Sequence, residues 1–300
     1  MAGRKIIHRK KVPAHASIGI IGGSGVYQID GVRVIAKIKP RTPFGYPSDE
    51  IVIADIGGTE TAFLPRHGKG HRLTPTEIPV QANIYALKLL GVESIVAISA
   101  VGSLKESIAP RDFVVPSQII DRTKSRVNSF FGGGIVGHVT FDKPFCPTLS
   151  AVLYDTLRAE QHTVHRDETY ICMEGPLFST KAESELYRSW GAGIIGMTAL
   201  PEAKLAREAE ICYAMIAMST DYDCWHPEHG SVTLEMVIAN ANANSAKVKS
   251  FLPKVIARID AEKDCSCRHA GEFAVMTAPS ALSKAAKKRL GLFYGKYWKQ

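Results

Sequence analysis

Short apolar, β-branched runs alternate along this chain with longer stretches of helical spacing, and that alternation limits the fold more than any other feature. The runs cover residues 17–21, 33–38, 50–56, 60–64, 94–99, 112–115, 169–173, 194–197 and 211–219, and each reads as a strand. Helical spacing fills residues 78–90, 148–160, 180–190, 201–209 and 232–256. Strands alternating with helices place the chain in the α/β class. After residue 90 the strand runs are almost wholly apolar, as a central sheet covered by helices on both faces requires. The earlier runs follow one another as neighbouring β segments and predict a mixed sheet. No linker-like shift in composition interrupts residues 16–260, which are expected to form a single domain between a basic extension at 1–15 and a segment at 261–300. A run of Asn and Ala at 239–246 reads as the polar face of the last predicted helix.

The formal charge of +8 does not describe the body. Five of the 37 Lys and Arg residues lie in residues 1–12 and six in residues 281–300, so the body between carries 26 basic against 29 acidic side chains. Basic ends can hold an anionic surface by screened attraction whatever the body does, which leaves nucleic-acid or anionic-surface binding as an accessory reading. No run of about 18 apolar residues exists, so no membrane span is expected. Basic residues at the N-terminus lack the apolar stretch of a secretory signal, and the cytosol is the expected address. The six cysteines, at 146, 172, 212, 224, 265 and 267, form neither a small disulfide framework nor a paired C-x-x-C zinc spacing.

Five segments carry chemistry. IGIIGGSG (18–25) is an apolar strand running into a glycine turn, where backbone N–H groups and the Ser24 hydroxyl can cradle phosphate; a tight turn without a ligand is the bland alternative. Its spacing fits neither a dinucleotide nor an ATP motif. LPRHG (64–68) places Arg66 and His67 after a strand, where Arg offers paired donors to an oxyanion; a surface turn is the alternative. Ser99 and Ala100 begin a small-residue loop at a strand end, and Met197 and Thr198 lie in another before Pro201. Finally, Asp221, Tyr222 and Asp223 close the last apolar run. Two carboxylates at i and i+2 point the same way if strand geometry continues, and a carboxyl at an apolar rim can act as an acid; a solvated loop is the alternative. His226 and His229 nearby do not complete a metal-ligand spacing, and no metal is expected.

In order along the chain, IGIIGGSG, TPFGYPSD, LPRHG, TPTEIPVQANIYALKLLGV, AVGSL, IIDRT, PFCP, EGPLFST, GMTALPEAKLAREA and MSTDYDCW resemble the trimeric branch of the purine nucleoside phosphorylase superfamily, most closely its methylthioadenosine-cleaving members. The resemblance runs from about residue 17 to 256 and implies a phosphorylase/hydrolase-like fold, a central mixed β-sheet surrounded by α-helices. It implies phosphate bound among Ser24, Arg66, His67, Ser99, Ala100 and Thr198. Met197 is then expected against the ribose, Phe178 near the purine, and Ser179, Tyr222, Asp221 and Asp223 around its edge, the two Asp being catalytic. His138 and the segment 273–276 would reach the 5′ group in a neighbouring subunit of a homotrimer or dimer of trimers, and Leu234, Val237 and Ile238 would line an apolar methylthio pocket.

The implied reaction is reversible phosphorolysis of S-methyl-5′-thioadenosine to adenine and 5-methylthioribose-1-phosphate, with phosphate as co-substrate and no cofactor. Relatives that prefer inosine or guanosine have Asn where this chain has Asp221, so DYD points to adenine, with a 6-oxopurine phosphorylase as the alternative. Ser24 and Ser99 stand where other members have Thr, and Leu177 where some have Arg. Cys265 and Cys267 match a C-x-C that can be oxidised in some thermophilic members, reduced thiols being the other reading. The tail beyond Pro279 matches no segment of the family.

Overall fold

The structure, a computed structural model, describes residues 14–23, 32–228, 233–261 and 265–298. Its described residues form one eleven-stranded mixed sheet with helices on both faces, as the α/β reading expects. The strands are β1 (Ile18–Gly22), β2 (Arg33–Ile38), β3 (Ile51–Ile56), β4 (Thr59–Pro65), β5 (Ser94–Ser103), β6 (Phe113–Val115), β7 (Gln118–Arg122), β8 (Val164–Arg166), β9 (Thr169–Met173), β10 (Ile194–Gly196) and β11 (Cys212–Asp221). The helices are α1 (Val80–Leu89), α2 (Pro147–Ala159), α3 (Lys181–Ser189), α4 (Ala199–Glu208), α5 (Leu234–Ala261) and α6 (Lys284–Tyr294).

Burial on two faces explains the continuous apolar runs. Along β5 and β11, Ile95, Ala97, Tyr213, Met215 and Ala217 pack on one side, while Val96, Ile98, Ala214, Ile216 and Met218 pack on the other. The first side is covered by α1, α4 and α6, the second by α2 and α5. Successive side chains of a strand point to opposite faces, so a strand covered on both must be apolar at every position. By contrast, β2 is an edge strand and largely exposed.

Helix starts follow local chemistry. Thr180 caps α3 in a reciprocal box with Glu183, and Ser283 accepts from Ala286 N at the start of α6. Leu200 is extended (φ −114°, ψ 139°), so the regular part of α4 begins at Pro201, the residue whose fixed φ suits a first turn.

Three features depart from the sequence reading. β7 and β8 are absent from it, because QIIDR and VHR are too short to show a period; pairing with β9 and β6 makes them strands. The Asn run is not merely a polar face. Asn240 and Asn244, one helical turn apart, donate their amides to Thr220 O (2.7 Å) and Ser219 O (3.1 Å) at the end of β11.

The basic tail is folded onto the body. Ala286, Leu290, Phe293 and Tyr294 are buried, with Phe293 against Tyr85 and Phe130, and Lys284, Lys287 and Lys288 stay outside. Glu210 takes Lys296 Nζ (2.7 Å) and the Tyr297 hydroxyl (2.6 Å). Phe293 and Tyr294 are therefore core side chains, not a platform for nucleic-acid bases. No described helix is long and apolar enough to cross a membrane.

Candidate active site

Strand register assembles the site. β1 runs parallel to both β4 and β5, with Ile21 opposite Leu64 and Ala97. Gly23 just after β1, Arg66 after β4 and Ser99 in β5 therefore fall on one line across the sheet. Ser24 lies outside the described residues. β10 runs antiparallel to β5, with Ile194 opposite Ser103 and Ile195 opposite Gly102. Continuing that count brings Met197 to Ala100 and Thr198 to Ser99, and the hydroxyls of Ser99 and Thr198 indeed meet at 3.0 Å.

Arg66 is not an outward donor. Its Nε and Nη2 grip both oxygens of Glu202 (2.7 and 3.1 Å), while Nη1 donates to Ile98 O (2.8 Å) and Nη2 to Ile21 O (3.2 Å). Arg and Glu are each 1% exposed, and Tyr213 donates to Glu202 at 3.0 Å. Four N–H bonds thus bind the guanidinium to a neutralising carboxylate and two strand carbonyls, and tie β1, β5 and α4 together.

His67 is also fixed. Its Nδ1 lies 2.9 Å from Leu73 O, a carbonyl that only accepts, so Nδ1 carries the proton, and the ring stacks on His71. Burial lowers its pKa from 6.5 to about 4, assisted by the Arg66 charge, which keeps the imidazole neutral with Nε2 as its acceptor.

Three residues further along β5, about 10 Å away at roughly 3.3 Å per residue, lies the acidic end. Asp221 faces Gly102, where an added Cβ would come within 3.0 Å of its Oδ1. Its Oδ2 accepts from Thr220 Oγ1 (2.7 Å) and its Oδ1 from Asp223 N (2.8 Å).

The strand geometry on which the i, i+2 reading rested does not continue. β11 ends at Asp221, and Asp223 has φ 49°, so a turn closed by Asp221 itself brings the two carboxyls together. Both are buried, and burial raises both pKa values. Ser184 and Ser179 oppose the rise at Asp223, yet Asp223 Oδ2 is buried with no hydrogen-bond partner among the described residues. Tyr222 turns elsewhere, packing on Trp225 and His226 with its hydroxyl 3.5 Å from Glu106 O.

The loop after β9 joins the two ends. Ser179 O accepts from the Cys224 thiol, and Gly175, at φ +69°, lies so close to Met197 that a Cβ would sit 2.5 Å from its sulfur. Phe178 is half-exposed on this loop. Arg126, absent from the sequence reading, holds the arrangement by donating to Met197 O, Leu200 O, Met173 O and Glu174 O. Nothing in its neighbourhood, KSRVN, marks it; only the convergence of four carbonyls does. Glu202 escaped notice for the same reason, and Asn240 and Asn244 were seen only as part of a polar helix face.

The remaining predicted residues lie apart. Leu234 and Ile238 are exposed on the first turns of α5, with Val237 half-buried between them. His138 is exposed, its backbone N–H donating to Ala274 O, beside Phe273 at 89% exposure.

Residues 17–257 match the model of the phosphorylase superfamily. The S-methyl-5′-thioadenosine phosphorylase of Geobacter sulfurreducens is 52% identical over 281 residues, covering 93% of this chain and 98% of that protein. The one of Thermosynechococcus vestitus is 51% identical over 286 residues, covering 94% and 99%. A methylthioadenosine phosphorylase from an antarctic soil metagenomic library superposes with a TM-score of 0.89 at 46% identity, covering 93% of this chain and 99% of that one. The Schistosoma mansoni methylthioadenosine phosphorylase in complex with adenine gives 0.78 at 36%, covering 82% and 92%. The chain belongs to the phosphorylase superfamily and, within it, to the S-methyl-5′-thioadenosine phosphorylases.

Proposed function

We propose that this enzyme catalyses the reversible phosphorolysis of S-methyl-5′-thioadenosine, giving adenine and 5-methylthioribose-1-phosphate. One observation carries the reading: the Ser99–Thr198 hydroxyls and the neutral His67 imidazole gather near one point of β5, and a buried pair of carboxyls lies three residues further along that strand, roughly 10 Å of strand rise. Phosphate is assigned to the Ser99–Thr198 hydroxyls, His67, Ala100 and the Ser24 turn. Arg66 acts as a positioning residue beneath them. Because His67 is neutral with Nε2 as acceptor, it pairs with the P–OH of monoprotonated phosphate.

The C1′–N9 bond breaks as positive charge builds on the ribose over Met197, and a phosphate oxygen forms the new bond to C1′ with inversion. Electrons of the broken bond pass to the purine, which takes a proton at its imidazole-side nitrogen. Asp223, buried with one unpartnered oxygen and a raised pKa, is the donor that best fits, and Asp221 sets its position while accepting from the exocyclic amine. Of the two Asp expected to be catalytic, Asp223 thus takes the leading role. Ser179 and Phe178 border the base on the same loop, and Tyr222, turned away, supports the turn.

We further infer that a second copy closes the 5′ end, in a homotrimer or a dimer of trimers. The exposed apolar residues Leu234, Ile238, Phe273 and Met276, with His138, supply the surface that a neighbour would cover. Six free thiols fit a reducing compartment, and we place the enzyme in the cytosol.

Turnover of methylthioadenosine and inosine, each with and without phosphate, tests the reading. Phosphate-dependent release of adenine is expected. Activity confined to inosine would make it a 6-oxopurine phosphorylase, and turnover indifferent to phosphate would make it a hydrolase. Light scattering of the purified enzyme checks the oligomer; a monomer overturns that part.

A further inference from the structure

Far from the proposed site, on the α2 and α5 side of the sheet, four cysteines from three separate parts of the chain converge. Cys146 caps α2, Cys212 opens β11, and Cys265 and Cys267 flank the first residue of the 3₁₀ turn Ser266–His269. Their four Sγ atoms all lie within 4.8 Å of one another. Cys146, Cys212 and Cys267 are buried, and Cys265 is half-buried.

We propose that this cluster is a structural zinc site with four thiolate ligands. Zinc bound tetrahedrally at about 2.3 Å from each sulfur sets the sulfurs about 3.8 Å apart, so the cluster closes on an ion through shifts of about 1 Å or less. Cys146 Sγ and Cys265 Sγ meet at 3.3 Å and the other two sulfurs lie within 4.8 Å of both, an arrangement that one ion satisfies at once and a disulfide satisfies only in halves. Soft thiolate donors and a compact tetrahedron select zinc over magnesium or calcium.

The surroundings supply what the ligands need. Leu149 N donates to Cys146 Sγ and Cys267 N to Cys265 Sγ, each at 3.5 Å, as outer hydrogen bonds that orient thiolates. Backbone bonds Cys146 N to Tyr213 O (2.7 Å) and Cys212 N to Glu93 O (3.0 Å) hold two ligands on the sheet. On binding, each thiol gives up its proton to solvent, leaving a site of net charge −2.

The ion has a clear task. Cys265 and Cys267 begin the segment that docks Ala274 on the His138 backbone and buries α6 on the opposite face. Zinc clips the start of that segment to the sheet and to α2. The sequence spacing shows no zinc pattern because 65 positions separate Cys146 from Cys212 and 52 separate Cys212 from the first later ligand, counted between residue numbers.

This proposal is independent of the catalytic reading. The full-length enzyme, purified reduced and without chelator, incubated with zinc chloride and desalted, is expected to hold one zinc per chain by elemental analysis. Native alkylation should spare four thiols that react once a chelator removes the ion, and the chelated protein should melt several degrees lower. Cobalt chloride in place of zinc should give the intense visible bands of tetrahedral cobalt–thiolate.

The Cys265→Ser, Cys267→Ser double variant should lose the zinc. Should it not fold, the wild-type cobalt spectrum still decides. A folded wild-type protein without zinc or cobalt bands, iron retained in place of zinc, or fewer than six alkylatable thiols after denaturation without reductant each overturns the proposal, the last by showing a disulfide.

Discussion

At the Ser99 end of the proposed site, Arg66 donates to Glu202 and two strand carbonyls, and His67 donates from Nδ1 to Leu73 O. At the base end, Asp223 keeps a buried carboxylate oxygen with no hydrogen-bond partner among the described residues. One end is a closed network that fixes where strands finish; the other holds an open valence. A buried polar group left open is costly unless something arrives to complete it, and the role proposed for Asp223 rests on that cost. Residue type misleads here, since the cation beside Ser99 is engaged inside the protein, while the group left incomplete among the described residues is a carboxyl.

The largest effect that sharpens the contrast is on catalysis. Asp223→Asn keeps the shape but not the acid, and should lower kcat for methylthioadenosine by about 10²–10⁴-fold with the fold intact by circular dichroism. Asp221→Asn should also lose adenine nucleosides, with a smaller loss on inosine. If Asp223→Asn retains normal kcat, the open oxygen has no catalytic use.

Next comes the closed network. Glu202→Ala strands a buried guanidinium and should cost about 3–5 kcal/mol in urea unfolding, while Arg66→Met combined with Glu202→Leu should recover most of it. Full stability of the single variant would show that Arg66 turns outward after all.

Acid should separate the ends by sign. His67 is depressed in the folded state, so its contribution is complete above pH 6.5 and is lost as pH falls toward about 4, on the order of 3 kcal/mol in all. Asp221 and Asp223 are raised, so theirs is complete below the ordinary 3.8 and is lost as pH rises through their folded values. Denaturant midpoints measured across this range should fall on acidification in the wild type, and less so in His67→Gln.

The smallest effect is at the support of the acidic turn. Asn240→Ala removes one amide bond to Thr220 O and should cost about 1 kcal/mol, with kcat changing more than KM if the turn positions Asp223. Equal stability and kinetics would leave the turn self-supporting.

Much of the fold was legible because its signals are local. Continuous apolar runs such as 211–219 announce a strand covered on both faces, and the threonine and glutamate at 180 and 183 announce a helix start. Edge strands β7 and β8 were not legible, since Ile119 and Ile120 alone show no period and pairing defines them. In the site, the small-residue segments and the DYD triplet stood out by composition, although Ser99 and Ala100, expected in a loop, lie inside β5 because pairing with β11 and β10 extends the strand to Ser103. Their partners did not: Glu202 lies 136 positions from Arg66, and Arg126 meets four carbonyls from two other segments.

By itself the sequence determined the α/β class, the order of the family motifs and which segments hold reactive side chains, because periodicity and residue type act over a few neighbours. Tertiary structure alone decided that Arg66 faces inward, that a turn and not a strand pairs the two Asp carboxyls, and that four scattered cysteines share one knot. Those facts depend on strand register and on burial, which bring together residues too far apart in the chain for any local pattern to record.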